Sequence, residues 1–212
     1  MKRTISKVAV LGSGIMGSRI ACHFANIGVE VLLLDMAPKE SSDEQSTGGT
    51  VALASKAVRN QIVNAALETA VKSNPSPLFS KKALSKITTG NFEDNMPDIA
   101  SCDWVIEVVV ERLDIKKVIY DQVEKFRKPG TLVTSNTSGI PIHLMAEARS
   151  EDFKAHFCGS HFFNPPRYLR LLEIIPTPQT KPEVVDFLMH YGDKFLGKTT
   201  VLCKDTAAFI AN

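Results

Sequence analysis

The sequence predicts an α/β protein with a doubly wound, mostly parallel sheet and an antiparallel hairpin near its C-terminal end. Three observations predict it. A short, wholly apolar run at residues 8–11 stops at a glycine and leads through a helical pattern into a second apolar run. Such runs suit strands covered on both faces. Strand and helix patterns then keep alternating to residue 135, which places helices on both sides of an open sheet. Last, residues 156–163 and 169–175 are strand-like runs joined by Asn164-Pro165-Pro166-Arg167-Tyr168. A link that short can only join an antiparallel pair.

The elements follow in order. After the first strand, Ile15, Met16, Ile20, Ala21, Phe24 and Ile27 fall at helical spacing, with Gly28 where a helix C-cap belongs. Residues 29–34 form the second strand, ended by Asp35. Residues 36–50 are polar, without an apolar period, and read as a mobile segment. A long helical pattern at 51–71 is broken by Asn74-Pro75-Ser76-Pro77, and 87–89 is a short strand. Residues 103–110 form the strongest later strand, 113–126 a helix, Pro129-Gly130 a turn and 131–135 a further strand. Beyond the hairpin, 182–196 is a helix, 199–202 a strand, and 205–212 begins a helix.

Composition narrows the function. A formal net charge of +2 is too mild for nucleic acid or an anionic membrane surface. No apolar run approaches the ~20 residues of a membrane span, and the N-terminal segment reads as a first strand rather than a signal peptide. The four cysteines, Cys22, Cys102, Cys158 and Cys203, form no CxxC motif. They read as scattered core thiols of a reducing, cytoplasmic compartment, with no metal site expected.

Gly12-Ser13-Gly14-Ile15-Met16-Gly17 is a GxGxxG loop. It follows a strand and opens a helix inside a strand–helix–strand unit, the context that gives this motif meaning. Gly12 permits the tight turn, Gly14 lets backbone approach a pyrophosphate, and Gly17 lets helix and strand pack closely. The helix start offers N–H groups and a positive dipole end to phosphate. Asp35 ends the second strand 23 residues past Gly12. A carboxylate there accepts ribose hydroxyls and repels a 2′-phosphate, so the expected ligand of this Rossmann-like unit is NAD rather than NADP.

In the hairpin, a turn centred near Arg167 pairs residues whose numbers sum to about 334. His161 and Glu173 satisfy that sum, and directly opposed residues bring their β-carbons within roughly 5 Å. A slip of one residue would send Glu173 to the other face. A carboxylate beside an imidazole fixes its tautomer, leaving the other nitrogen to take a proton from an alcohol. From spacing alone, catalysis and core packing stay equally open. His23, His143, His156 and His190 have no argued partner and read as structural. Ser135-Asn136-Thr137-Ser138 follows a strand end facing the expected cofactor crevice. Its hydroxyls and amide can bond a ribose or carbonyl, or cap the turn.

Together these residues resemble the NAD-binding domain of the L-3-hydroxyacyl-CoA dehydrogenases of fatty-acid β-oxidation. The resemblance rests on Gly12 to Gly17 with Asp35, on Glu-Val-Val-Val-Glu-Arg-Leu-Asp-Ile-Lys at 107–116, on Ser135-Asn136-Thr137-Ser138, on His161-Phe162-Phe163-Asn164-Pro165 running on to Glu173, and on Lys204-Asp205-Thr206 running on to Asn212. It covers nearly the whole chain. The wording around these segments looks most like the dehydrogenase part of longer enzymes that also carry an enoyl-CoA hydratase unit.

The resemblance implies roles. His161 is the base and Glu173 its orienting partner. Ser138 touches the reacting oxygen or the nicotinamide ribose, and Asn212 helps polarise the substrate oxygen. Glu111, Lys116, Ser138 and Asn164 contact the nicotinamide half of NAD. The substrate implied is an L-3-hydroxyacyl-CoA, oxidised to the 3-ketoacyl-CoA. A small free hydroxy acid as substrate, or a non-catalytic dinucleotide-binding module, are the alternatives. Residues 1–203 then form the NAD-binding domain and 204–212 the start of a helical domain that relatives continue, in proteins expected to be homodimers or larger. Two departures stand out: Ala207-Ala208 replaces the family's Pro-Gly, and 36–50 is longer and richer in serine.

Overall fold

The computed structural model describes residues 3–38 and 56–211. Its eight strands are β1 (Lys7–Leu11), β2 (Glu30–Asp35), β3 (Ile87–Asn91), β4 (Trp104–Glu107), β5 (Leu132–Ser135), β6 (Phe157–Phe162), β7 (Leu171–Pro176) and β8 (Thr199–Leu202). Its α-helices are α1 (Ile15–Asn26), α2 (Lys56–Arg59), α3 (Gln61–Lys72), α4 (Phe92–Asn95), α5 (Leu113–Phe126), α6 (Ile142–Ala146), α7 (Glu151–Ala155) and α8 (Pro182–Lys194). One sheet runs in the order β3-β2-β1-β4-β5-β6-β7-β8. All neighbours are parallel except β6 and β7. β1 lies between β2 and β4, so strand order reverses there, and the crevice outside the carboxyl ends of β1 and β4 is where such folds take ligands.

The apolar runs are explained by burial on both faces. Val8 and Val10 pack with Ile20 and Phe24 of α1, Val63 and Leu67 of α3, and Leu188 of α8. Ala9 and Leu11 point the other way, to Tyr120 and Val123 of α5, Met145 of α6 and Phe153 of α7. Trp104 anchors the first layer, edge-on to Phe24 at 5.3 Å between centroids, and its indole N–H donates to Thr134 Oγ1 at 2.9 Å. Burying one ring such as Phe24 contributes about 1.5–3 kcal/mol. No helix among the described residues is long and apolar enough to cross a membrane.

Most expected elements fall within a residue or two of their place, and three differ. The strand expected at 103–110 ends at Glu107. There the Glu107 side chain turns back to accept the Val109 N–H at 2.8 Å, taking a donor the sheet would otherwise use. The helix expected from 51 is divided at Asn60 into α2 and α3, because the buried Asn60 amide accepts from Asn91 Nδ2 at 2.8 Å on β3; residues 51–55 lie outside the described residues. Residues 205–211 form turns, not a helix. Ala208 (φ 61°) and Phe209 (φ 49°) sit in the left-handed region, which no α-helix contains. Ala208 stands where the family pattern has glycine. The polar segment expected to be mobile lies, from residue 39 on, outside the described residues.

Candidate active site

The carboxyl ends of β1, β2, β4, β5 and β6 gather nearly every expected site residue at one edge of the sheet. Gly12 follows β1 at φ 104°, and its N–H donates to Leu34 O at 2.7 Å. A β-carbon on it would stand 2.7 Å from Val108 O, so the loop after β4 presses on the glycine turn. A β-carbon on Gly17 would stand 1.8 Å from Gly12 O, so only glycine lets α1 begin this close to β1. Gly14 differs: its β-carbon would meet no atom within 4 Å. No packing among the described residues demands glycine there, and the space among them is open to a ligand.

α1 starts at Gly14 with no side chain capping it, so its first N–H groups and the dipole point into that space. The Asp35 carboxylate stands beside the loop. Oδ2 accepts Ser13 N at 2.6 Å and Ser13 Oγ at 2.5 Å, and Oδ1 accepts Met36 N at 2.7 Å. Ile15 and Met16 form the first turn of α1, Ile15 exposed and Met16 half-buried. A bare helix start, an open approach at Gly14 and a half-buried acid at the tip of β2 fit the pyrophosphate and adenine ribose of NAD.

The second half of the site lies across β4, β5 and the hairpin. The register of β6 and β7 pairs His161 with Glu173, as the numbering arithmetic requires. His161 Nδ1 lies 2.8 Å from Glu173 Oε2, and both side chains are buried. The other carboxylate oxygen accepts Ile210 N at 3.2 Å and Ala211 N at 3.0 Å. An ionised carboxylate only accepts, so Nδ1 carries the hydrogen and Nε2 keeps its lone pair. Phe163 packs on the imidazole at 4.4 Å between centroids.

Glu111 organises the loop after β5. Its Oε1 accepts Ser138 N and Gly139 N, each at 3.0 Å, and the Thr137 hydroxyl. Burial raises the Glu111 pKa, but the Thr137 bond, the Lys116 charge and the two backbone N–H groups outweigh it and hold the carboxyl below its usual range. Lys116 is only 1% exposed. Its ammonium donates to Glu107 Oε1 at 2.7 Å and pairs with Glu111 Oε2 at 3.4 Å. Ser138 and Asn164 are exposed, each on a loop at this edge. Asn212 lies outside the described residues.

Glu107 has no role in the sequence reading, and Asn136, whose amide reads there as a bond to a ribose or carbonyl or as a cap, ties two strands together. Asn136 Oδ1 accepts Phe162 N at 2.8 Å, tying the loop after β5 to the end of β6. Glu107 is wholly buried and accepts four hydrogen bonds. The signal for it was there: a carboxylate inside an apolar strand, followed by Lys116 and Tyr120 four apart on one helix face. The structural histidines have modest partners: His143 rests on Asp205, His156 on Asp152 O, and His23 on Leu196 O. No cluster of metal-ligating side chains occurs among the described residues.

Residues 7–206 match the family model described as 3-hydroxyacyl-CoA dehydrogenase, NAD binding domain. The whole chain is 51% identical to a probable 3-hydroxyacyl-CoA dehydrogenase of Bacillus subtilis and 41% identical to a putative fatty acid oxidation complex trifunctional enzyme of Rickettsia felis. It spans 27% of the length of each. Among solved structures, (S)-3-hydroxybutyryl-CoA dehydrogenase PaaH1 from Ralstonia eutropha matches with a TM-score of 0.74 at 26% identity, over 99% of this chain and 67% of that one. The glycine loop with its acid, the buried imidazole–carboxylate pair and these matches agree: the chain belongs to the family of NAD-binding domains of 3-hydroxyacyl-CoA dehydrogenases, and its cofactor is NAD.

Proposed function

We propose that this chain is the cofactor-binding part of an oxidoreductase that oxidises an L-3-hydroxyacyl-CoA to the 3-ketoacyl-CoA. The observation that carries the proposal is the His161–Glu173 pair at the carboxyl edge of a dinucleotide-binding sheet. His161 Nε2 takes the hydroxyl proton of the substrate. Glu173, acceptor-only and buried, holds Nδ1–H and stabilises the imidazolium that forms. Bound NAD supplies the two-electron acceptor, receiving the carbinol hydrogen with its electron pair. Gly12 to Gly17 hold the pyrophosphate and Asp35 the adenine ribose. Glu111, Ser138 and Asn164 border the nicotinamide half with Lys116 behind Glu111, and Ser138 and Asn212 engage the reacting oxygen. The names of the Bacillus and Rickettsia relatives support this substrate class, and the words trifunctional enzyme in the Rickettsia name support a parent chain in fatty-acid oxidation with further activities, one of which we take to be a fused enoyl-CoA hydratase unit. The free, buried cysteines support a reducing, cytoplasmic setting.

The test is an NADH titration by fluorescence, then addition of acetoacetyl-CoA to the whole protein while NADH loss is followed. His161→Gln should bind NADH as before and turn over about 10²- to 10⁴-fold more slowly. Wild-type turnover in that variant, or tight NADH binding with no turnover of any 3-ketoacyl-CoA, would refute the proposal.

A further inference from the structure

We propose that Glu107 is a positioning residue of the nicotinamide side: acting through Lys116 and Glu111, it fixes the backbone at residues 138–140. Glu107 ends β4 and is 0% exposed. Its Oε2 accepts Tyr120 Oη at 2.8 Å and Ser135 Oγ at 2.6 Å. Its Oε1 accepts Val109 N at 2.8 Å and Lys116 Nζ at 2.7 Å. The four donors come from the loop after β4, from two turns of α5 and from the end of β5. One carboxylate therefore sets the relative placement of three segments that converge on the site.

The two oxygens have different consequences. On the Oε2 side, the hydroxyls of Tyr120 and Ser135 can turn to accept as well as donate. On the Oε1 side, both partners are obligatory donors. The Lys116 ammonium, held by Glu107, reaches Glu111 Oε2 at 3.4 Å, and Glu111 Oε1 holds the N–H groups of Ser138 and Gly139, with Ile140 N at 3.4 Å. Without the charge of Glu107 the buried ammonium loses much of its compensation, keeping only the Glu111 carboxylate and the Val109 carbonyl, each at 3.4 Å. It is then free to follow Glu111, and the loop carrying Ser138 loses its fixed anchor. This inference rests on the reading that Glu111 and Ser138 border the nicotinamide.

Glu107→Gln suits the test, because it keeps the shape and a hydrogen-bonding oxygen toward Lys116 and Val109 but removes the negative charge that pairs with the Lys116 ammonium. In the chain without cofactor, hydrogen exchange at the amides of 138–140 should quicken about tenfold, and NADH should bind about tenfold more weakly. Lys116→Met should do the same, and the double variant no worse than either alone, since all three break one line of contacts. Tyr120→Phe removes a bond from the other oxygen and should leave both readouts within about twofold. Unchanged exchange in Glu107→Gln overturns the proposal, as do additive losses in the double variant or equal effects of Tyr120→Phe. Should Glu107→Gln not fold, Lys116→Met against Tyr120→Phe decides by the same exchange measurement. Failure of wild type to bind NADH would instead strike the cofactor reading, while exchange at 138–140 would still judge Glu107.

Discussion

Gly14 separates what the fold needs from what the cofactor needs. Gly14→Ala adds one methyl group at φ −54° and ψ −170°, a conformation open to alanine without strain. The methyl meets no atom within 4 Å, so the folded protein should accept it. Alanine is a poorer helix N-cap than glycine, by roughly 0.5–1 kcal/mol. It also restricts the unfolded chain, which returns about 0.4–1 kcal/mol. The two nearly cancel, and for a chain of this size the melting temperature should move by no more than about 2–4 °C. Binding is different. On the proposed reading, the open space over Gly14 is the approach of the α1 start to a pyrophosphate, and a methyl group there would force the phosphate away. Losing one hydrogen bond to a charged group costs about 1.5–3 kcal/mol, a factor of about 10–150 in Kd. The assay is an NADH fluorescence titration beside a thermal melt. Unchanged Kd in a normally folded Gly14→Ala protein would show that the dinucleotide does not lie over this loop. A large fall in melting temperature would show that Gly14 is a packing residue.

Gly17→Ala should behave oppositely to Gly14→Ala in the melt: its methyl would fall 1.8 Å from Gly12 O, which is backbone that can yield only by displacing the loop. A clear loss of stability together with loss of NADH binding is expected, and a wild-type melt would refute the packing argument. His23 predicts the acid limb of stability. Burial, then the charges of Lys198 and Arg167, push its pKa down to about 4 against a bond to Leu196 O that raises it. The folded value lies below the unfolded one, so the unfolded chain binds the extra proton and stability is lost as pH falls from about 6.5 to 4, by about 3 kcal/mol at most. Urea unfolding at pH 7 and pH 4.5 should show a smaller drop in His23→Gln than in wild type. Equal drops would place the acid sensitivity elsewhere.

How far the sequence reaches depends on which force sets each feature. Strands buried on both faces are written as apolar runs, so β1 and β2 and their crossover through α1 were legible. The hairpin was legible to the residue, because a short turn and a period of two leave one register that opposes His161 to Glu173. Side-chain hydrogen bonds acting on backbone were not legible. The run 103–110 is uniformly apolar after Glu107 and carries no mark of where pairing stops; the Glu107 carboxylate bonding Val109 N decides it. Likewise, nothing in the pattern of 51–71 marks Asn60, whose amide meets Asn91 thirty-one residues away. The turn at 205–211 defeated the pattern for a third reason. Aspartate before apolar residues is the usual start of a helix, but Asp205 spends its carboxylate on the α6 N–H groups of Ile142 and His143.

The single antiparallel junction among the described strands is what sets His161 against Glu173. The strands up to β6 run the same way, and a parallel neighbour would need a crossover of a dozen or more residues. Only a hairpin can set a carboxylate directly beside His161 with so short a link. Glu173 is only 1% exposed, and the low dielectric around it strengthens its hold on the imidazole. β8 pairs with the backbone of β7 and sets Val201 beside Glu173, and residues 210–211 close over the remaining carboxylate oxygen with two N–H groups. The carboxylate therefore spends Oε2 on His161 and Oε1 on the backbone that follows β8. The orientation of the His161 imidazole is thus set by two segments, β7 and the turn at 205–211, and the strained backbone at Ala208 and Phe209 lies in the segment that reaches back to its carboxylate partner.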